Sequence, residues 1–114
     1  MVEEAISLDE ALEAIEQALK IEPRSGFALY WKGNILAGLG RIDDAVAAYE
    51  AAVTKSDSPD RHTPADSAIL AGFHLYGVGR LDEANYWYSR AILEDLFRKL
   101  SFALSGEGED CDAY

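Results

Sequence analysis

The sequence predicts an all-α fold in which about five helices form a short array of repeated two-helix units. One segment, Gly33–Ala45, recurs as Gly72–Ala84 with three glycines, an arginine, an aliphatic residue, two acidic residues and an alanine in the same order. Upstream, Leu8–Ala11 repeats the end of that segment. The first two copies end 34 residues apart and the last two end 39 residues apart. A period in this range is typical of helical arrays, in which each unit buries its apolar side against its neighbours.

The first helix is predicted from about Ser7 to Glu22. Apolar residues recur at helical spacing on one side, while acidic residues fill the other. Ser7 is placed to cap the N-terminus, with Glu10 three residues later completing a capping box. Pro23 ends the helix because the residue before a proline avoids helical backbone angles.

The second and third helices form the first complete unit. The second is predicted from about Gly26 to Leu39, and Gly40 ends it because glycine readily adopts the left-handed conformation that closes a helix. The third is predicted over about residues 42–54, and its first turn carries two aspartates near the positive end of the helix dipole. Residues 55–64 are predicted to form a loop because two prolines bound a polar stretch.

The fourth and fifth helices repeat that unit. The fourth is predicted from about Ala65 to Val78 and ends at Gly79, the counterpart of Gly40. The fifth begins near Leu81 and continues to about residue 104, since no helix breaker precedes Gly106. Residues 105–114 are acidic and rich in glycine, and they are predicted to be disordered.

Composition restricts the partners that we expect. The chain has 114 residues, the size of one small domain, and a net charge of −11 with no cluster of Lys or Arg. Neither nucleic acid nor an anionic membrane is therefore expected as a partner. The acidity indicates solubility, a preference for basic partners, or a salt-loving host. A single cysteine, the acidic residues at the start and the lack of a long apolar run favour a cytoplasmic location.

The repeated unit resembles the tetratricopeptide repeat (TPR), a helix–turn–helix of 34 residues. Residues 26–59 and 65–98 each match the pattern, and residues 7–23 match its second half. The resemblance implies a right-handed TPR solenoid over residues 1–104, in which 99–104 are a helical extension. The matching positions are Gly33, Leu36, Gly40, Ile42, Ala45, Tyr49 and Ala52 in the first full repeat, and Gly72, Leu75, Gly79, Leu81, Ala84, Tyr88 and Ala91 in the second.

The same resemblance implies a non-catalytic protein-interaction module, with a concave groove lined by the first helix of each repeat. A partner peptide or segment, basic or apolar, would bind there. Tyr30, Phe73 and Tyr76 are of the residue types that dominate binding hot spots, although Phe73 and Tyr76 could instead pack on a neighbouring helix. Asn34 matches TPR modules that grip a C-terminal carboxylate, but the accompanying basic residues are absent. By position the groove residues are Phe27, Tyr30, Asn34, Asp66, Ile69, Phe73 and Tyr76.

The end of the fifth helix supports a second hypothesis, in which the chain is a self-associating structural or assembly subunit. TPR arrays usually finish with a polar helix, whereas this extension carries many large apolar residues. Exposing several of them would be costly, because burying one Leu or Phe contributes about 1.5–3 kcal/mol. The residues concerned are Leu96, Phe97, Leu100 and Leu104.

Other residues do not suggest catalysis, and we expect no enzyme activity, cofactor or metal site. His62 and His74 lack a second ligand at helical spacing and a nearby cysteine. The glycine pairs are explained as helix ends, because neither follows a strand or precedes the Lys-Ser/Thr of a phosphate-binding loop. Two tryptophans, Trp31 and Trp87, fit either the core or the surface.

Overall fold

A computed structural model describes residues 7–55 and 63–104. These residues contain five helices and no strand, which confirms the predicted all-α fold. Each helix packs on the next one along the chain, and α4 also contacts α2. The helices are α1 (Leu8–Ile21), α2 (Gly26–Gly38), α3 (Ile42–Thr54), α4 (Thr63–Gly77) and α5 (Leu81–Leu104).

Side chains cap the first two helices. The Ser7 hydroxyl accepts a hydrogen bond from the Glu10 N–H at 3.1 Å, and a Glu10 carboxylate oxygen accepts one from the Ser7 N–H at 3.2 Å. The predicted capping box is therefore confirmed. Ser25 caps α2 by accepting from the Ala28 N–H at 3.2 Å, a role that the sequence analysis had not assigned.

Both helix-ending glycines adopt the left-handed conformation, with φ of 84° at Gly40 and 83° at Gly79. Each is followed by an arginine whose N–H reaches back to a carbonyl of the last helical turn, the arrangement of a Schellman motif. Because the two turns have the same geometry, α2 and α3 are joined in the same way as α4 and α5. The equivalent bonds run from the Arg41 N–H to the Leu36 carbonyl and from the Arg80 N–H to the Leu75 carbonyl, both at 2.9 Å.

The fourth helix begins at Thr63, two residues before the predicted start at about Ala65. The sequence analysis assigned Pro64 to the loop, but its fixed φ and missing N–H suit the first turn of a helix. Residues 56–62, the rest of the predicted loop, and residues 105–114, the predicted disordered tail, lie outside the described residues.

Two glycines allow the helices of each repeat to cross closely. A Cβ atom at Gly33 would lie 2.5 Å from the ring of Tyr49, and one at Gly72 would lie 2.9 Å from the ring of Tyr88. Tyr49 is fully buried. The core around it contains Leu36, Ala45, Ala48, Ala68, Ala71, Leu75, Ala84, Trp87 and Ala91.

Trp87 is 6% exposed and belongs to this core, whereas Trp31 is 43% exposed. The structure therefore separates two tryptophans that the sequence pattern left undecided.

An ion pair joins the two repeats at their turns. One Arg80 nitrogen lies 2.7 Å from the Asp43 carboxylate at the start of α3, and another lies 2.7 Å from Glu83. The hydrogen bond from Arg80 holds the pKa of the Glu83 carboxyl below its usual value. Arg80 thus connects the N-terminal turns of α3 and α5.

Candidate functional site

The predicted groove residues lie on the outward sides of α2 and α4. Spacings of three and four residues place Phe27, Tyr30 and Asn34 on one side of α2, as expected for a helix. Phe27 is 62% exposed, while Tyr30 and Asn34 are half-buried. On α4, Asp66, Ile69, Phe73 and Tyr76 are exposed.

Six aromatic rings form a continuous row across α2, α3 and α4. Phe27 contacts Trp31 edge-on at 6.2 Å between ring centroids, and Trp31 contacts Tyr30 at 5.6 Å. Tyr30 contacts Tyr49 of α3 at 6.5 Å. Two rings of α4 complete the row, because His74 stacks on Tyr49 at 6.1 Å and touches Phe73 at 5.2 Å. We call this set the aromatic row, and Tyr49 is the residue that connects its α2 and α4 parts.

Tyr49 is held at both ends of its side chain. Its ring covers Gly33, and its hydroxyl donates a hydrogen bond to the Asn34 side-chain oxygen at 2.6 Å. Burial raises the pKa of the Tyr49 hydroxyl well above its usual value, so the group stays protonated and remains a donor. Within residues 7–55 and 63–104, no other group bonds to the Asn34 amide, which leaves its NH₂ available to a ligand.

His74 lies half-buried between Tyr49 and Phe73. Burial lowers the pKa of its imidazole below the usual 6.5, so the ring is predominantly neutral at neutral pH. A neutral imidazole offers one donor and one acceptor nitrogen. His74 therefore adds a polar group to an otherwise apolar row.

Comparison with protein families agrees with this architecture, since residues 7–61 match the tetratricopeptide repeat family. The chain belongs to the TPR family. TPR repeats generally mediate protein–protein interactions and are typically non-catalytic. A search of curated proteins finds no match to the chain. The second repeat lies beyond the matched residues, but it repeats the crossing glycine and the turn geometry of the first.

The structure does not bring all the predicted groove residues of this TPR protein together. Asp66 and Ile69 line a separate cleft of about 380 Å³ between α4 and α5. We call it the terminal cleft, and its other lining residues are Ala65, Tyr88, Ala91, Ile92 and Asp95. Tyr76 is 62% exposed at the far end of α4 and makes no ring contact with the described residues.

Sequence reasoning missed two members of the aromatic row, Trp31 and His74. Each directly follows a predicted groove aromatic, Tyr30 or Phe73. His74 also occupies the position of Ile35 in the preceding repeat, where Ile35 is buried. That correspondence is the signal that could have placed His74 at the contact between repeats.

The described parts of the chain show no sign of two other kinds of site. No group of three His, Cys, Asp or Glu side chains among residues 7–55 and 63–104 is arranged to hold a metal ion. None of the five described helices is long and apolar enough to cross a membrane.

Proposed function

We propose that this TPR protein binds a peptide segment of a partner protein along the aromatic row and the outward sides of α2 and α4. The observation that carries the proposal is the row itself. It ends in two exposed rings, Phe27 and Phe73, which are supported from behind by the buried Tyr49. Aromatic rings held in place in this way lose little conformational entropy on binding, which suits them to anchor a ligand.

The polar groups beside the row suggest the chemistry of the ligand. The Asn34 NH₂ group suits a backbone carbonyl of an extended or helical peptide. Phe27 and Phe73 suit apolar or aromatic anchors of that peptide. The exposed Asp66 and the net charge of −11 favour a segment that also carries Lys or Arg.

A peptide-display selection tests the proposal with a matched pair of variants. The site variant is Phe27→Ala plus Phe73→Ala, because both rings are more than half exposed and their loss leaves Tyr49 in place. The control is Tyr86→Ala, a 53% exposed tyrosine on α5 outside the row. We expect the wild type and the control to select one shared motif, and the site variant to bind it at least about tenfold more weakly.

Circular dichroism should show unchanged helicity in both variants. A motif bound equally well by the site variant would contradict the proposal, and so would a selection that returns no motif.

A second candidate function, self-association, is favoured by the exposure of the end of α5. We propose that this segment is an assembly surface. Phe97 is 69% exposed and Leu104 is 85% exposed, while Leu96 and Leu100 are about half exposed. Sedimentation of the wild type over a range of micromolar concentrations tests this candidate, because an assembling chain gains mass with concentration.

A further inference from the structure

The last turns of α5 carry an exposed apolar stripe. α5 has 24 residues against 15 in α4, its antiparallel neighbour in the second repeat, so its end extends beyond the start of α4. At 100° per residue, five apolar side chains fall within an arc of roughly 100° on this helix. The stripe comprises Leu93, Leu96, Phe97, Leu100 and Leu104, which are 59%, 51%, 69%, 50% and 85% exposed.

The stripe is large for a surface that faces water. At on the order of 100 Å² per exposed Leu or Phe, it presents about 500 Å², the upper range of apolar patches on monomers. A standard interface takes about 800 Å² from each partner, and the stripe with its charged margins approaches that value. The rest of the chain is poorly suited to cover it, since residues 105–114 hold four acidic residues and residues 56–62 are polar.

The charges within the stripe follow an order that is complementary to itself when reversed. Residues 93–100 read Leu-Glu-Asp-Leu-Phe-Arg-Lys-Leu: apolar, two acids, two apolar residues, two bases, apolar. Reading the segment backwards gives the same order of apolar and charged residues with every charge inverted. Helical geometry places Glu94 and Arg98 on one side of the stripe and Asp95 and Lys99 on the other.

We infer that α5 pairs with α5 of a second copy of this chain in an antiparallel arrangement, about a two-fold axis between Leu96 and Phe97. The inference rests on the second candidate function and specifies its partner and register. A two-fold axis brings the same side of each helix together with the sequence reversed. Glu94 then faces the partner's Arg98, Asp95 faces the partner's Lys99, and Leu93 faces the partner's Leu100.

A parallel pair would instead place like charges opposite each other. Within one copy, Asp95 already forms ion pairs with Arg98 and Lys99, and Glu94 forms one with Arg90. These groups keep exposed surface, 40% for the Asp95 side chain and 67% for Lys99, so they can also contact a partner. Such contacts set orientation and register, while the apolar stripe provides the main driving force for pairing.

Sedimentation equilibrium of the full chain tests the pairing itself. We expect the wild type to move from monomer to dimer as its concentration rises through the micromolar range. Leu96→Glu plus Phe97→Glu should remain monomeric because it places four carboxylates at the centre of the pair. The control Ile21→Glu changes an 81% exposed apolar residue on α1 and should dimerise like the wild type.

Circular dichroism verifies that all three proteins are equally helical. A monomeric wild type at high micromolar concentration overturns both the candidate function and the inferred register. A Leu96→Glu plus Phe97→Glu chain that still dimerises also overturns the inference, since pairing then occurs elsewhere.

Charge exchange tests the register separately. One variant carries Glu94→Lys plus Asp95→Lys, and another carries Arg98→Glu plus Lys99→Glu. Each should fail to dimerise alone because like charges meet, and an equimolar mixture of the two should dimerise. A mixture that remains monomeric overturns the register but leaves self-association standing if the wild type dimerises.

A chain with all four substitutions distinguishes antiparallel from parallel pairing. In an antiparallel pair it is complementary to itself and clashes with the wild type, whereas in a parallel pair it prefers the wild type. We expect mixed samples to contain the two homodimers and few heterodimers. Preferential pairing with the wild type would overturn the antiparallel arrangement.

Discussion

The two full repeats share one sequence pattern but differ in how much of it is buried. Tyr49 in the first repeat is fully buried, whereas Tyr88 at the same position in the second is half-buried. Four residues further on, Val53 is half-buried, while its counterpart Ile92 is 68% exposed. The difference arises because α4 packs on α2 and α3, and no described helix packs on α4 and α5 in the same way. In this array, a repeat is therefore completed by the repeat that follows it.

Removal of the two equivalent tyrosines should show this difference most strongly. We expect Tyr49→Ala to lower the free energy of unfolding by about 3–5 kcal/mol, because it empties a buried site and leaves the Asn34 oxygen unpaired. Tyr88→Ala should cost only about 1–2 kcal/mol, since its ring is partly in water. Urea unfolding followed by circular dichroism measures both values. Equal losses would mean that the following repeat does not determine the burial.

The crossing glycines give a smaller contrast. Gly33→Ala pushes a methyl group to 2.5 Å from a ring that cannot move, because Tyr49 is held by Asn34 and His74. We expect a net cost of about 2 kcal/mol, after the gain of up to about 1 kcal/mol from alanine's higher helix propensity.

Gly72→Ala should cost about 1 kcal/mol, since Tyr88 lines the open terminal cleft and can rotate away. The nearby Ala84 carbonyl, 3.1 Å from the added Cβ, keeps this cost above zero. The same urea experiment measures both variants. A larger cost at Gly72 than at Gly33 would contradict the view that Tyr88 is free to move.

The smallest expected effect concerns pH and the contact between repeats. Because burial lowers the pKa of His74, the unfolded chain binds its proton more readily than the folded chain does. Its effect on stability is therefore absent above the usual pKa of 6.5, and stability falls as the pH drops through and below that value. His74→Gln should flatten the dependence of the melting temperature on pH between about 7 and 5. An unchanged slope would show that His74 titrates as it does in the unfolded chain.

The sequence predicts the helices well because their ends depend on local chemistry. The Ser7 capping box and the glycines at 40 and 79 act within a few residues, and each appears in the structure where its pattern indicates. The misassigned start of α4 is also local, because Pro64 has two possible roles.

The site was harder to predict because it depends on contacts between helices. The stacking of His74 on Tyr49 joins residues of different repeats, and the burial of Trp87 depends on packing that no local pattern reports. The positions of the seven groove residues along α2 and α4 followed from helical spacing, but the separation of Asp66 and Ile69 into the terminal cleft did not. Peptide binding and a cytoplasmic location stay predictions.

The acidic margin of the terminal cleft has a consequence for polymerisation. An open end of a repeat array can accept the opposite end of another molecule, and such head-to-tail contacts generate filaments because nothing closes them. Here the cleft carries Asp66 and Asp95, while the exposed surface at the start of α1 carries Asp9, Glu10 and Glu13. Stacking one molecule on the next would therefore bring carboxylates together, and this repulsion weakens as salt screens it. The charge that leaves the cleft open also opposes the growth of fibres from it.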